Sequence, residues 1–441
     1  MKKTLLIFGL VLMSAIAASA QQTFVSSMSG AQENPPTGSS AKGTCKIVLN
    51  AAQTQITVTC TFSGLATPAN AGHIHTGAIG VNGPVTIGFT GIPAATSGTI
   101  GPLTLAITAP QVATMRSHGF YTNIHNTTFP GGEIRGQVKQ TMTPAFDSDG
   151  DGRTDVVTFR QSTNTFWVQN SLDGTVSQYT HGTGTGDNWL NNSADFDGDG
   201  RADPMLIKIQ GVNAVWRILR TSDNTVSTTF WGDFSTANGE QLAMADYDGD
   251  GQTDIAVYRR LQGMFYILES STGNTPRYVR WGASTGSATT GDQVCVGDYD
   301  GDGKADPTTV RNEGGQRVFY TLRSSDSTST RTPWGTDTTD GFFFFAQVDF
   351  DGDGKQDIQV NRNVGGVRNF FILRSSDGGL DQIPFGTATA PADVASFGDY
   401  DGDGKTDIAS RRIEAPNFTW YIRRSSDLVT QRVVFGLSTD Q

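Results

Sequence analysis

Between Asp147 and Asp407 one nine-residue phrase recurs six times, Asp-x-Asp-Gly-Asp-Gly-x-x-Asp, starting at Asp147, Asp195, Asp246, Asp298, Asp349 and Asp399. Four carboxylates in nine residues make an all-oxygen donor set, which suits a hard divalent cation such as calcium. Counted from one, positions one, three, five and nine are Asp147, Asp149, Asp151 and Asp155 in the first loop and Asp195, Asp197, Asp199 and Asp203 in the second. They are Asp246, Asp248, Asp250 and Asp254 in the third, and Asp298, Asp300, Asp302 and Asp306 in the fourth. The last two loops bring Asp349, Asp351, Asp353 and Asp357, then Asp399, Asp401, Asp403 and Asp407. The carbonyl of position seven, from Arg153, Arg201, Gln252, Lys304, Lys355 or Lys405, is the fifth ligand, and a Gly at six, such as Gly251, permits the sharp turn. Each loop supplies its own ligands and leaves at most a water position, so the expected cofactor is calcium, about six ions, in a structural rather than a catalytic role.

The loops need elements to hold them. A helix-flanked calcium loop carries Glu at position twelve, whereas Asp254 runs directly into Ile255-Ala-Val-Tyr258, a strand-like run. The loops recur at intervals of 48, 51, 52, 51 and 50 residues, a period in the range of propeller blades. Before each loop stands a short apolar run such as Leu242-Ala-Met-Ala245, and after it a second strand. A third strand carries paired aromatics (Phe265-Tyr-Ile-Leu268, Phe370-Phe-Ile-Leu373, Trp420-Tyr-Ile-Arg423) and leads to a Ser-Ser-Asp-type turn. A fourth closes on an aromatic–Gly pair: Trp231-Gly232, Trp281-Gly282, Trp334-Gly335, Phe385-Gly386 and Phe435-Gly436, with His181-Gly182 in the first unit. Four strands per unit predict a β-propeller of about six four-stranded blades. Over residues 141–441 the units resemble FG-GAP/VCBS repeats, the calcium-loop blades also found in integrin α propellers. The resemblance implies a calcium loop between the first two strands of each blade. Integrin-type propellers have seven blades, but only five residues follow Phe435-Gly436, too few for a seventh.

Residues 22–140 form a second region. Its motifs are Ser29-Gly-Ala-Gln-Glu-Asn-Pro-Pro36, Gly72-His-Ile-His-Thr-Gly77 with Gly83-Pro-Val85, Tyr121-Thr-Asn-Ile-His125 and Pro130-Gly-Gly-Glu-Ile-Arg-Gly-Gln137. Together and in this order they resemble a CHRD domain, the module named after chordin, and an all-β sandwich is expected. No surface for a growth factor is encoded in these residues. His73 and His75 alternate onto one strand face, and His125 lies on another strand. Three imidazoles so placed are a candidate copper or zinc site. The favoured reading is instead structural, with the rings hydrogen-bonding loops alongside Glu133 and Arg135. His118 and His181 are read as structural or exposed. Alternation around a turn at Ala52-Gln53 sets Cys45 across from Cys60, which fits a disulfide in an oxidising compartment or two buried thiols. Cys295 is expected to be buried and unpaired.

Composition narrows the class. The 441 residues contain 53 Gly and only 17% charged side chains, and no stretch shows sustained helical periodicity, all of which favours strands and turns. Lys2-Lys3, the apolar run Leu5 to Ala17 and Ala18-Ser19-Ala20 predict a signal peptide, residues 1–20, cleaved after Ala20. No later apolar segment approaches the ~20 residues of a membrane span. Without Lys2 and Lys3 the formal charge of −11 becomes −13, and six divalent ions would bring it to about −1. The acidity is thus local to the loops. No basic patch points to nucleic acid, and no nucleophilic triad or phosphate loop stands out. The expectation is a secreted or cell-surface, monomeric, calcium-binding adhesion module that recognises an extracellular protein or glycan, and not an enzyme. The contact surface is expected on variable connections such as Gly182 to Asn192 and Thr336 to Gly341. The alternative is a metal-dependent enzyme using the histidine cluster or the propeller face.

Overall fold

The computed structural model describes residues 22–440, apart from 51, 78–79, 117–118, 141–145, 150–152, 172, 183–189, 199–200, 235–238, 250–251, 285–290, 302–303, 337–339, 343–346, 353–354, 390–392 and 403–404. The expected signal peptide and His118 lie outside the described residues.

The fold is all-β, as expected. In the N-terminal region the strands are β1 (Gln22–Ser29), β2 (Lys42–Leu49), β3 (Gln55–Ser63), β4 (Ala69–Thr76), β5 (Val85–Gly88), β6 (Gly98–Ala106), β7 (Phe120–Asn126), β8 (Ile134–Gln137) and β9 (Lys139–Gln140). They pair in the order β5-β4-β7-β8-β1-β2-β3-β6, with β9 on β1, so the layers belong to one continuous sheet that wraps almost into a barrel. Alternation supplies the interior: Cys45, Ile47 and Leu49 from β2, Ile56, Val58 and Phe62 from β3, and Ile74 and Ile124 from β4 and β7 pack into one core. Bulges bend the strands that must curl. One lies between Val58 and Cys60, opposite Gly101 on β6, where only glycine fits: φ is +90° and a β-carbon would stand 2.3 Å from the Val58 carbonyl oxygen. Cys45 and Cys60 are register partners and form a disulfide.

One element escaped the period analysis, an α-helix at Ala109–Arg116. It is only eight residues long, too short for its apolar spacing to show, but its start was written in a capping box, Thr108-Ala-Pro-Gln111. The Thr108 N–H donates to Gln111 Oε1 at 2.8 Å, and Val112 and Met115 are buried in the core.

From residue 146 onward the described strands form six sheets: three strands within 156–180, then four each within 190–233, 240–280, 293–336, 340–387 and 394–437. In the first sheet the Asp155 N–H donates to the Phe146 carbonyl, the same bond that joins the first two strands of later blades, as in Asp254 to Ala245. Aromatics of the third strands, among them Phe166, Trp216, Phe265, Phe319 and Phe370, are fully buried. The tryptophans of the aromatic–Gly pairs join blade to blade. Trp231, Trp281 and Trp334 donate their indole N–H to the carbonyls of Tyr266, Tyr320 and Phe371 on the following third strand. Each Gly of the pair lies at positive φ, with +103° at Gly232 and +91° at Gly335.

Six blades close the ring, which excludes a seventh. In four blades an acid at the start of the first strand or just before it binds the Arg five residues past the loop: Glu240–Arg259, Asp292–Arg311, Asp340–Arg362 and Asp393–Arg412. The fifth pair joins the chain's end to its first blade, with Asp440 and Arg160 2.9 Å apart. The residues after Gly436 therefore serve as a latch, and Asp440 also accepts the Leu437 N–H.

The first blade has His181 where the others have Trp or Phe. The ring is buried and stacks on Phe166 with centroids 5.6 Å apart, and burial pushes its imidazole down to about 4. A folded pKa below the unfolded one means that folding expels a proton, so stability is full above about pH 6.5 and is lost as pH falls toward 4. At pH 5 the loss should be on the order of 2 kcal/mol. His181→Phe, matching Phe385 and Phe435, should gain on the parent protein at pH 5 relative to pH 7.5 in denaturant melts. An equal difference at both pH values would show that His181 is not neutral in the fold.

Candidate metal centre

The loops sit where first and second strands of each blade meet, and three described carboxylates converge in them. In the groups Asp147, Asp149, Asp155; Asp195, Asp197, Asp203; Asp246, Asp248, Asp254; and Asp298, Asp300, Asp306, one oxygen of each residue lies within 4.8 Å of the others. The position-five residues Asp151, Asp199, Asp250, Asp302, Asp353 and Asp403 lie outside the described residues, as do the position-six glycines. Where the turn can be seen, it is position four that needs glycine: Gly198, Gly249, Gly301, Gly352 and Gly402 have φ between +76° and +80°. Position one makes this turn by accepting the position-four N–H, for example Asp246 Oδ1 from Gly249 at 2.6 Å.

Position nine does more than ligate. One oxygen of Asp254 accepts the Tyr247 N–H at 2.8 Å, and the other accepts the Ser270 N–H at 2.7 Å. The same two bonds recur at Asp155, Asp203, Asp306, Asp357 and Asp407, so this carboxylate clamps the loop to the turn after the third strand. The Ser-Ser-Asp turns noted in the sequence have this purpose. Their second Ser donates its hydroxyl to position three: Ser222 to Asp197, Ser271 to Asp248, Ser325 to Asp300, Ser376 to Asp351 and Ser426 to Asp401, at 2.6–2.7 Å. Their contribution was missed because it depends on a contact some 25 residues away.

Electrostatics follow from this geometry. Burial, reinforced by the neighbouring Asp248, pushes the Asp254 carboxyl up to about 7, and Asp306, Asp357 and Asp407 are raised to about 7 for the same first reason. A carboxylate that is costly to ionise beside other acids is one that a divalent cation would stabilise. The donor set, all oxygen and strongly anionic, fits calcium. The residues at positions one, three and nine would hold it, and calcium would supply the positive charge that lets them ionise together.

The loops also join one another. The position-eight N–H of each donates to the position-one carbonyl of the previous loop: Ala202 to Asp147, Thr253 to Asp195, Ala305 to Asp246, Gln356 to Asp298, Thr406 to Asp349 and, across the seam, Thr154 to Asp399, all at 2.6–2.7 Å. Position seven, expected only as a carbonyl ligand, adds a side chain. The stems of Gln252, Lys304, Lys355, Lys405 and Arg153 lie across Gly198, Gly249, Gly301, Gly352 and Gly402 of the preceding loop.

A second cluster of metal-binding side chains stands on the N-terminal sheet, His73, His75 and His125. Burial and the neighbouring His125 and His75 lower the His73 pKa, and burial lowers that of His125. The expected partnership with Glu133 and Arg135 is not what holds them. Glu133 is taken up by Ser39, the Ala66 N–H and Asn126, and Arg135 by Asn82 and the Val81 carbonyl. Cys295 is buried and unpaired as expected, and Tyr299 donates to its carbonyl at 2.8 Å. Among the described residues no helix is long and apolar enough to cross a membrane.

Comparison with known proteins agrees with this anatomy. The model of the CHRD domain matches residues 24–138, and that of the FG-GAP-like repeat matches 147–206, 195–257 and 349–410. No curated protein matches the chain significantly. Among solved structures, the chain is similar to TolB from Acinetobacter baumannii at 14% identity and a TM-score of 0.44, covering 67% of this chain and 66% of that one. It thus spans just under two thirds of the TolB chain. A protein from Lactobacillus plantarum is similar at 13% identity and a TM-score of 0.36, covering 74% and 94% of the two chains. An oligogalacturonate lyase in complex with manganese gives 8% identity, a TM-score of 0.36 and coverage of 72% and 82%. The chain is a CHRD domain followed by FG-GAP-like repeats that close into a six-bladed β-propeller.

Proposed function

We propose that this protein is exported and calcium-loaded, and that its propeller works as an adhesion or ligand-binding module at the cell surface or in the extracellular matrix, with a protein or glycan as ligand and no catalysis of its own. The observation that carries this reading is the closed ring of aspartate loops, in which each acidic triad is bonded to the turn of its own blade and to the loop before it. Calcium in such a ring would act passively: it would neutralise the clustered carboxylates and hold one rim rigid, so that the connections between blades present a fixed surface. The two connections expected to carry contacts, Gly182 to Asn192 and Thr336 to Gly341, fall largely outside the described residues. The reading is tested by probing glycan and extracellular-protein arrays with the full chain, in 1 mM calcium or in chelator. Calcium-dependent binding to one ligand class is expected. Binding that persists unchanged in chelator, or turnover of a captured glycan, would refute it.

A further inference from the structure

We propose that His73, His75 and His125 form a three-imidazole site for a borderline divalent transition metal, copper(II) or zinc(II), on the outer face of the N-terminal sheet, with a coordination position left for water or an external ligand. The register brings the rings together. On the β4–β7 ladder His75 faces Tyr121, His73 faces Asn123 and Ala71 faces His125, while Ile74 and Ile124 between them enter the core. The three imidazoles therefore share the opposite face, and one nitrogen of each lies within 4.8 Å of the others. His73 Nδ1 and His125 Nε2 are 3.2 Å apart. Two nitrogens bound tetrahedrally to one ion at about 2.0–2.1 Å would stand about 3.3 Å from each other.

The tautomers are set for ligation. His75 Nδ1 is 3.0 Å from the Gly83 carbonyl oxygen, and His125 Nδ1 is 3.0 Å from that of Pro130. A carbonyl only accepts, so each Nδ1 carries the proton and each Nε2 keeps its lone pair, the arrangement by which outer partners orient metal-binding histidines. A purely hydrogen-bonded cluster can account for the His125 Nε2 only through His73, whose Nδ1 would donate to it at 3.2 Å, since Asn123 presents its Oδ1 at 2.9 Å and an amide oxygen accepts. It cannot account for His75. That ring is only 8% exposed, yet its Nε2 is buried without a hydrogen-bond partner, an arrangement that costs free energy unless something binds there. The ring is also held in place, stacked on Tyr121 with centroids 4.8 Å apart and planes 8° apart, while the Arg135 guanidinium lies 3.5 Å from the centre of the same tyrosine.

The donors choose the metal. Neutral imidazoles suit copper and zinc and not calcium, with copper(II) the tighter of the two. Glu133 is fully buried and committed to Ser39, Ala66 and Asn126, so it is not available as a fourth ligand, and among the described residues the three imidazoles leave the site open. The half-buried His73 stands on the side of the cluster that solvent reaches, and across the strand pair from it is Gly88, which adds no side chain.

The test uses the full chain in excess calcium, so that the aspartate loops are occupied by their preferred ion, with copper(II) or zinc(II) chloride added. Close to one equivalent should survive gel filtration, and the copper form should show nitrogen hyperfine structure in its electron paramagnetic resonance spectrum. His75→Gln and His125→Gln should each weaken binding by on the order of a hundred-fold, removing a direct ligand rather than an outer partner. Should either fail to fold, His73→Gln decides the matter, since His73 is half exposed; unchanged copper affinity in that variant overturns the proposal. So do absence of retained metal in the parent protein, or a copper spectrum with oxygen donors only, which would place the ion in the aspartate loops.

Discussion

Removing calcium should lower the melting temperature of the propeller by tens of degrees while leaving the CHRD domain little changed. A ligand present at a hundred times its dissociation constant stabilises the folded state by about 2.7 kcal/mol per site. External calcium near 1 mM and a site of ~10 µM give that ratio, within the range of calcium loops. Six such sites contribute about 16 kcal/mol, as much as the entire stability of an ordinary domain. The ring amplifies the effect, because each loop holds the next by a position-eight N–H, and an emptied loop loosens the anchor of its neighbour. The core of the CHRD domain is separate and contains a disulfide, which gives it an independent source of order. Calorimetry in calcium and in EDTA checks this. A propeller transition that does not move after all calcium is shown to be gone would mean that the acidic loops hold no structural ion.

Asp254→Ala and Asp248→Ala should behave differently, although both remove one carboxylate from the same loop. Asp254 is fully buried and accepts the Tyr247 and Ser270 N–H groups, so its loss strands two backbone donors at about 1–3 kcal/mol each. That cost is independent of the ion, and the weakened site adds its calcium contribution to it. Asp248 is half exposed and accepts from the hydroxyl and N–H of Ser271 on an exposed turn. In calcium, both variants should show five tight sites and one weak one by titration calorimetry. In EDTA, Asp254→Ala should still be destabilised by about 2–5 kcal/mol, whereas Asp248→Ala should match or exceed the parent protein, because a neighbouring negative charge is gone. Equal losses for the two in EDTA would show that position nine is not the clamp described here.

Much of the architecture was legible because the chain repeats. Six copies of an acidic phrase at blade-length spacing state the oxygen donor set, the loop and the blade at once, and the alternation of Cys45 and Cys60 around their turn states the register of a hairpin. What stayed hidden depends on contacts between distant residues. Nothing local marks Ser271 as a partner of Asp248, and nothing near Asp440 shows that it belongs to Arg160, 280 residues earlier. The short helix at Ala109 was hidden for a different reason: its eight residues make only about two turns, too little periodicity to see.

By itself the amino-acid sequence determined which chemistry the chain carries and in what units: oxygen donors for a hard cation in each loop, four strands per blade and imidazoles in alternation on a strand. These are properties of residue type and of spacing within a few positions, which the backbone's own geometry converts into a face or a turn. Only the tertiary structure decided that the blades number six, since closure depends on Thr154 meeting Asp399 and Asp440 meeting Arg160 across the seam. It alone also decided that position nine is a clamp, and that the His75 Nε2 lone pair points into a buried cluster, because burial and pairing are set by whichever strands fold against each other.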